Sequence, residues 1–344
     1  MQSADETFMW AALAEARRGL GKVSPNPAVG AVLVRGNKII SSGYHRASGL
    51  PHAEIECLAA GAGGSLRAAT LFVTLEPCST TGRTPPCCDS IVHAGVGRVV
   101  IGATDPNPAH RGRGIEQLRA AGIEVTTGVL AAECSRLNEA FNKWIVTRQP
   151  FIIAKCGMSL DGRLTRSPNE ERWLTSPAAR RVAMQLRAQV DAILIGAETL
   201  RVDNPRLTTR GIRGARQPWR VILSRSGKLP RGAHVFTDRQ AERTLVYRGK
   251  SLRAVLADLG RREITSVLIE GGGRILGQAF DARLVDKIHF FLAPLFTGGP
   301  VLAVGGRGVA STGAGAKILE ARYEKIGRDL SVSGYPNWSE NSVE

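Results

Sequence analysis

The stretch from His52 to Cys88 constrains this chain more than any other. It reads His52-Ala53-Glu54, then an apolar run Leu71-Phe72-Val73-Thr74-Leu75, then Glu76-Pro77-Cys78 and, after a polar loop, Pro85-Pro86-Cys87-Cys88. His52, Cys78 and Cys87 offer one imidazole and two thiols, ligands of the softness that zinc takes. They leave a fourth position open, as a catalytic rather than a structural zinc requires. The run 71–75 reads as a buried strand, so Cys78 sits just past a strand end. Pro85-Pro86 stops the loop, and Cys87 opens a helical run through 89–94. A thiol at a helix N-terminus meets the positive end of the helix dipole, which favours the thiolate. His52 likewise precedes a short helix over 53–60, with Glu54 in its first turn, free to move protons instead of binding metal. Cys88, adjacent to Cys87, reads as buried packing.

At 344 residues the chain is long enough for two domains with separate cores. Gln149-Pro150 marks the boundary between 1–148 and 149–344. In the first part, residues 5–19 pattern as an amphipathic helix. Residues 29–34 read as a central strand with 38–41 as its hairpin partner. Strands at 71–75, 99–102 and 123–125 then alternate with helices at 115–121 and 133–146, which predicts a three-layer α/β/α domain. In the second part, strands at 151–155, 192–196, 221–223, 244–247 and 267–270 alternate with helices. One helix starts at Thr175-Ser176-Pro177, a capping hydroxyl followed by proline, and runs to 189. The others span 198–201, 251–259 and 274–280. The Gly/Ala-rich stretch 298–316 reads as a loop and 336–344 as a loose tail.

The formal charge is +16, of which +3 falls in 1–148 and +13 in 149–344. An enzyme acting on tRNA or single-stranded DNA concentrates its positive field around the reacting pocket. The near-neutral first part therefore predicts no nucleic-acid partner, and the basic second part predicts small phosphorylated ligands; an arginine-rich proteome would give the same excess. No segment reads as a membrane span. The polar, acidic opening predicts no secretory leader. Six cysteines, two or three of them needed as thiolates, predict the cytoplasm rather than a disulfide framework.

In the second part, Glu270-Gly271-Gly272-Gly273 ends a strand and opens a helix. That is where an open α/β sheet binds nucleotide phosphates, and equally where a tight turn sits. Lys155, an isolated charge at the end of an apolar strand, is either a site residue or an edge residue. Arg187 lies in an amphipathic helix, on a solvated face or at a site. Asp203 follows a helical run.

His-x-Glu followed by Pro-Cys and a second Cys is the pattern of zinc deaminases acting on nucleobase-like rings. Further motifs narrow it. They are Gly82-Arg83-Thr84-Pro85-Pro86 between the cysteines, Asp105-Pro106-Asn107-Pro108, Gly112-Arg113-Gly114-Ile115, and Lys155 followed by Ser159-Leu160-Asp161-Gly162-Arg163. Trp173-Leu174-Thr175-Ser176-Pro177, Asp203-Asn204-Pro205-Arg206-Leu207-Thr208 and Glu270-Gly271-Gly272 complete the set. Over nearly its whole length the chain resembles the bifunctional riboflavin biosynthesis deaminase/reductase family.

That resemblance implies a cytidine-deaminase-like α/β/α domain followed by a dihydrofolate-reductase-like α/β domain. It implies zinc-dependent hydrolytic deamination of a diaminopyrimidinone ribosyl 5′-phosphate, then NADPH-dependent reduction of the ribosyl chain to ribityl. One zinc per chain would be held by His52, Cys78 and Cys87, with Glu54 as the proton carrier. Asn26 would hydrogen-bond the pyrimidine, His45 would lie beside it, and Arg83 would meet its phosphate or stay a solvated loop residue. Gly157, Trp173, Thr199, Asp203 and Gly272 would face NADPH. Lys155, Arg187, Leu207, Arg210 and Glu270 would lie near the second substrate, with Trp173 and Leu207 alternatively mere packing. Homo-oligomers would form through the second domain.

Two positions depart from the family pattern. Thr80 stands where the family usually has His beside the substrate phosphate, and Glu171 stands where it often has a small hydroxyl residue. Two other readings compete. One is a nucleoside or tRNA deaminase fused to an unrelated reductase, against which the near-neutral first part counts. The other is a zinc-stabilised binding protein without deaminase activity, which would leave Glu54 idle.

Overall fold

The computed structural model describes residues 3–61, 65–80, 85–164 and 173–338. The chain divides into two compact units, 1–148 and 149–344.

In the first unit the elements run α1 (Ala4–Arg17), β1 (Gly30–Arg35), β2 (Lys38–Tyr44), α2 (Ala53–Ala60), β3 (Ala69–Leu75), α3 (Cys87–Ala94), β4 (Arg98–Ala103), α4 (Arg113–Ala120), β5 (Glu124–Thr127), α5 (Ala131–Leu137) and α6 (Glu139–Thr147). The five strands pair in the order β2-β1-β3-β4-β5. β1 is antiparallel to β2 and β3, whereas β3, β4 and β5 are mutually parallel. Period-two alternation sends each central strand's side chains to opposite faces. Leu33, Leu71, Val73, Val99 and Ile101 pack with Cys57 of α2, Cys88 and Ile91 of α3, and Leu118 of α4. Val32, Val34, Phe72 and Val100 pack with Met9, Ala12 and Leu13 of α1 and Cys134 of α5. Helices therefore cover both faces, giving the α/β/α sandwich. The parallel strands leave the carboxyl ends of β3 and β4 at one rim, and Cys78 follows β3 there.

One expected helix over 133–146 is instead two, broken at Asn138 (φ −114°, ψ 24°). The Asn138 side chain turns inward. Its Oδ1 accepts the Ala28 N–H at 2.7 Å, and its Nδ2 donates to the Ala28 carbonyl at 2.9 Å.

The second unit runs β6 (Phe151–Ser159), α7 (Pro177–Gln189), β7 (Ala192–Gly196), α8 (Ala197–Asp203), β8 (Trp219–Ser224), α9 (His234–Thr237), β9 (Thr244–Arg248), α10 (Leu252–Arg261), β10 (Ser266–Ile269), α11 (Gly273–Asp281), β11 (Lys287–Ala293), β12 (Lys317–Ile326) and β13 (Asp329–Asn337). Its eight strands pair in the order β12-β13-β11-β6-β10-β7-β8-β9. β13 is antiparallel to both neighbours, and all other pairs are parallel. α10 and α11 pack on one face through Val255, Leu259, Leu276 and Ala279. Leu200 of α8, Val235 of α9, and Ala179 and Ala183 of α7 pack on the other.

The sheet extends beyond the strands expected from periodicity. Strands β11, β12 and β13 were not expected, and the anticipated tail from 336 begins inside β13. β6 also runs four residues beyond Lys155, so that lysine is mid-strand, not terminal. No helix among the described residues is long and apolar enough to cross a membrane.

Candidate active sites

Three local structures build the first site. His52 is the residue before α2, with extended backbone (φ −74°, ψ 166°). α2 is held to the sheet where the Ser41 hydroxyl donates to the Cys57 carbonyl at 2.8 Å. Cys87 opens α3 behind Pro86, and its N–H donates to the Cys78 sulfur at 3.3 Å. His52 Nδ1 lies 3.2 Å from Cys87 Sγ and 3.6 Å from Cys78 Sγ. All three ligand atoms fall within 4.8 Å of one another. A tetrahedral zinc with Zn–S near 2.3 Å and Zn–N near 2.0 Å has S···N edges of about 3.5 Å, so the triad fits the ion. Its electrostatics fit too. A hydrogen bond from the Cys87 thiol, with help from His52, holds Cys78 down to about 4 as a thiolate. Cys87 is pushed up in turn by sharing that charge and by burial. A divalent cation takes both as thiolates.

Glu54, in the first turn of α2, is 3% exposed. Burial pushes its carboxyl up to about 7, against the opposing pull of His52. A group balanced there can both accept and return a proton near neutrality.

His45 is buried and meets His52 edge-on, with ring centroids 5.2 Å apart. Its Nδ1 lies 3.1 Å from the Pro51 carbonyl and its Nε2 lies 3.1 Å from Asn26 Nδ2. The carbonyl can only accept, so Nδ1 carries the proton and Nε2 accepts from the Asn26 amide. Desolvation lowers the His45 pKa, which keeps this neutral tautomer. The pair therefore leaves Asn26 Oδ1 as an acceptor on the far side of His45, whose ring meets that of His52. Arg83 and Glu171 lie outside the described residues. Cys88 is fully buried, with its sulfur 3.5 Å from the Pro77 carbonyl, and it is not one of the three residues whose ligand atoms cluster.

The second site is a cleft of about 530 Å³ in the second unit. Lys155, Gly157, Trp173, Arg187, Thr199, Asp203, Leu207, Arg210, Glu270 and Gly272 all line it. Its centre is an ion pair. Arg187 Nε and Nη2 donate to the two Glu270 oxygens at 2.8 and 2.7 Å, and Nη1 donates to the Thr208 carbonyl at 3.1 Å. Both side chains are nearly buried, at 11% and 8% exposed. The solvated-face reading of Arg187 is therefore excluded. Burial would raise the Glu270 carboxyl, but Arg187, Lys155 and Arg210 outweigh it and hold it at about 2.

Gly272 precedes α11, and its N–H donates to Thr199 Oγ1 at 3.0 Å. The next residue must be glycine, because a Cβ on Gly273 would lie 2.1 Å from the Leu302 carbonyl oxygen. Leu207 is not in a strand; it is a buried loop residue with φ +51°. Trp173 is half exposed, with the Arg180 guanidinium 5.1 Å from its ring centroid, so it is not a core aromatic. Arg180 and Arg181 also line the cleft and were not singled out in the sequence. Both are on the same helix as Arg187, and Arg180, seven residues and about two turns before it, falls on the same helix face, which is the signal that would have found it.

Residues 2–103 match the family described as the cytidine and deoxycytidylate deaminase zinc-binding region, and residues 150–332 match the RibD C-terminal domain. The riboflavin biosynthesis protein RibD of Synechocystis is 40% identical over 355 residues, covering 96% of this chain and 96% of that protein. Its Escherichia coli counterpart is 38% identical over 326 residues, covering 86% and 89%. Among solved structures, Acinetobacter baumannii RibD in form 1 superposes with a TM-score of 0.90 at 32% identity, covering 98% of this chain and 100% of that one. A Thermotoga maritima structure, described as a diaminohydroxyphosphoribosylaminopyrimidine deaminase/5-amino-6-(5-phosphoribosylamino)uracil reductase, superposes with a TM-score of 0.87 at 35% identity, covering 97% and 99%.

Proposed function

The chain belongs to the RibD family of riboflavin biosynthesis proteins, bifunctional enzymes with a zinc-binding deaminase domain and a reductase domain, and from that premise we propose which of its residues carry each reaction. The first unit deaminates the diaminopyrimidinone ribosyl 5′-phosphate. The second reduces the ribosyl chain of the deaminated product.

His52, Cys78 and Cys87 hold the zinc. When bound, zinc supplies the Lewis acidity that makes water a nucleophile at neutral pH. Glu54 takes a proton from the attacking water and delivers it to the departing amine. Asn26 Oδ1 accepts from an amino group of the ring, and neutral His45 fixes the Asn26 amide in that orientation. The observation that carries this reading is the geometry: His52, Cys78 and Cys87 bring their ligand atoms within 4.8 Å of one another, with the Glu54 carboxyl buried two residues from the imidazole.

In the second unit, NADPH supplies the hydride. Gly157, Trp173, Thr199, Asp203 and Gly272 form its side of the cleft, with the start of α11 suited to phosphate oxygens. Lys155, Leu207 and Arg210 face the ribosyl substrate. Arg187 is committed to Glu270, so its role is to fix that carboxylate; Arg210 and Lys155, which line the same cleft, meet the substrate phosphate.

The six cysteines are free, which supports a reducing compartment such as the cytoplasm. Leu319 and Tyr323, exposed on the edge strand β12, support association of copies through the second unit. Sedimentation of the full chain should give dimers or larger; a monomer contradicts this.

The test of the two reactions is a pair of assays on one preparation. Chelated protein should release no ammonia from the diaminopyrimidine, and added zinc should restore release without NADPH. NADPH should then be consumed only with the deaminated pyrimidine. Ammonia release indifferent to zinc, or NADPH oxidation indifferent to the pyrimidine, contradicts the assignment.

A further inference from the structure

The roles above leave unused a second polar cluster beside the metal triad. Glu76 is 5% exposed and lies two residues before Cys78. Its Oε2 accepts the N–H groups of Asp105 and Gly112, each at 3.1 Å. Its Oε1 accepts those of Gly114 and Ile115 at 3.0 and 3.4 Å. One buried carboxylate thus ties both ends of the 105–113 loop to the strand end that carries a zinc ligand. The approach is close, since a Cβ on Gly114 would lie 2.2 Å from the Pro77 carbonyl oxygen. Within the loop, the Asn107 carbonyl accepts the N–H groups of His110 and Arg111, both at 2.9 Å. This fixes His110 against Thr80, with Nδ1 3.0 Å from Oγ1.

Thr80 is two residues past Cys78 and carries no charge. When its hydroxyl donates to Nδ1, the imidazole N–H sits on Nε2, which has no partner among the described residues. Ser79 Oγ, between Cys78 and Thr80, is buried and without a hydrogen-bond partner among the described residues. Arg111 and Arg113 follow His110 on the same loop and are exposed. Two acids are near. Glu76 is consumed by its four backbone donors. Asp105, its carboxyl raised by burial, accepts the Asn107 N–H at 2.8 Å. An imidazole N–H on a loop that also carries two exposed arginines suits a phosphate monoester better than a neutral sugar.

We propose that His110, held by Thr80, is a specificity residue that reads the 5′-phosphate of the pyrimidine at the deaminase site. It brings from the 105–113 loop the imidazole that position 80 lacks. This rests on the deaminase reading above.

The test is steady-state ammonia release by zinc-loaded full-length protein, with the phosphorylated pyrimidine and with its dephosphorylated riboside. His110→Ala should lower the ratio of kcat/KM for phosphorylated over dephosphorylated substrate about tenfold, chiefly through KM, with zinc still at one per chain. Adding Thr80→His to that variant should restore most of the ratio by returning an imidazole from the neighbouring position. An unchanged ratio in His110→Ala overturns the proposal, and so does an equal loss on both substrates, the signature of a purely structural residue. Wild-type protein that deaminates neither substrate overturns the deaminase reading, and this one with it.

Discussion

Arg187→Met tests the centre of the second cleft. The substitution keeps an unbranched apolar stem and removes the guanidinium that meets both Glu270 oxygens. Glu270 is then a carboxylate at 8% exposure without its principal counter-ion. Two routes give the size of the effect. Holding that carboxyl at about 2 rather than 4.5 corresponds to about 3 kcal/mol at 1.36 kcal/mol per pH unit. Removing one member of a buried pair costs roughly 3–5 kcal/mol. Lys155 and Arg210 supply part of the first figure, so about 3 kcal/mol is the expected loss. For a unit of this size that is roughly 6–12 °C in Tm. The sign with pH follows from the depressed carboxyl. Its folded pKa lies below its unfolded value, so its contribution is complete above about pH 4.5 and disappears as pH falls towards 2. Calorimetry of the full chain should therefore show a wild-type-to-variant gap that is full at pH 7 and closes below pH 4.5. The double variant Arg187→Met/Glu270→Leu should lose less than Arg187→Met alone, because no unpaired charge remains buried. A shift under 2 °C at pH 7, or a gap that widens on acidification, refutes the reasoning.

Other substitutions separate structure from chemistry. Cys88→Ala should leave bound zinc at one per chain by metal analysis, since that sulfur faces the Pro77 and Gly114 carbonyls rather than the triad. Glu76→Gln keeps two polar atoms but replaces one acceptor with a donor against backbone N–H groups. It should cost the first unit about 2–4 kcal/mol in thermal unfolding.

The first site was legible in the sequence because it is local chemistry. Zinc requires particular side chains, and those side chains sit at a strand end and two helix starts that proline and apolar runs already mark. The parts that escaped depend on residues distant along the chain. Asn138 breaks a helix by bonding the backbone of Ala28, which no periodicity at 133–146 reveals. Arg187 looks like any arginine on an amphipathic helix until the sheet brings Glu270 to it. Thr80 reads as the loss of a charge until the loop held by Glu76 delivers His110. β12 was invisible for another reason: most of its side chains are exposed and its pairing with β13 shifts between Leu319 and Arg322, so the alternation that marks a strand is lost. β11 is apolar enough to be seen, but the glycine-rich loop that follows disguised the strands completing its sheet.

Deamination at this site depends on Glu54 moving the proton beside a zinc that His52, Cys78 and Cys87 would hold. That dependence is tested most directly by ammonia release from the diaminopyrimidine ribosyl phosphate, comparing wild-type protein with Glu54→Gln at equal bound zinc. The variant should keep one zinc per chain and lose roughly 10²–10⁴ in kcat. A Glu54→Gln protein that releases ammonia at the wild-type rate would contradict that dependence.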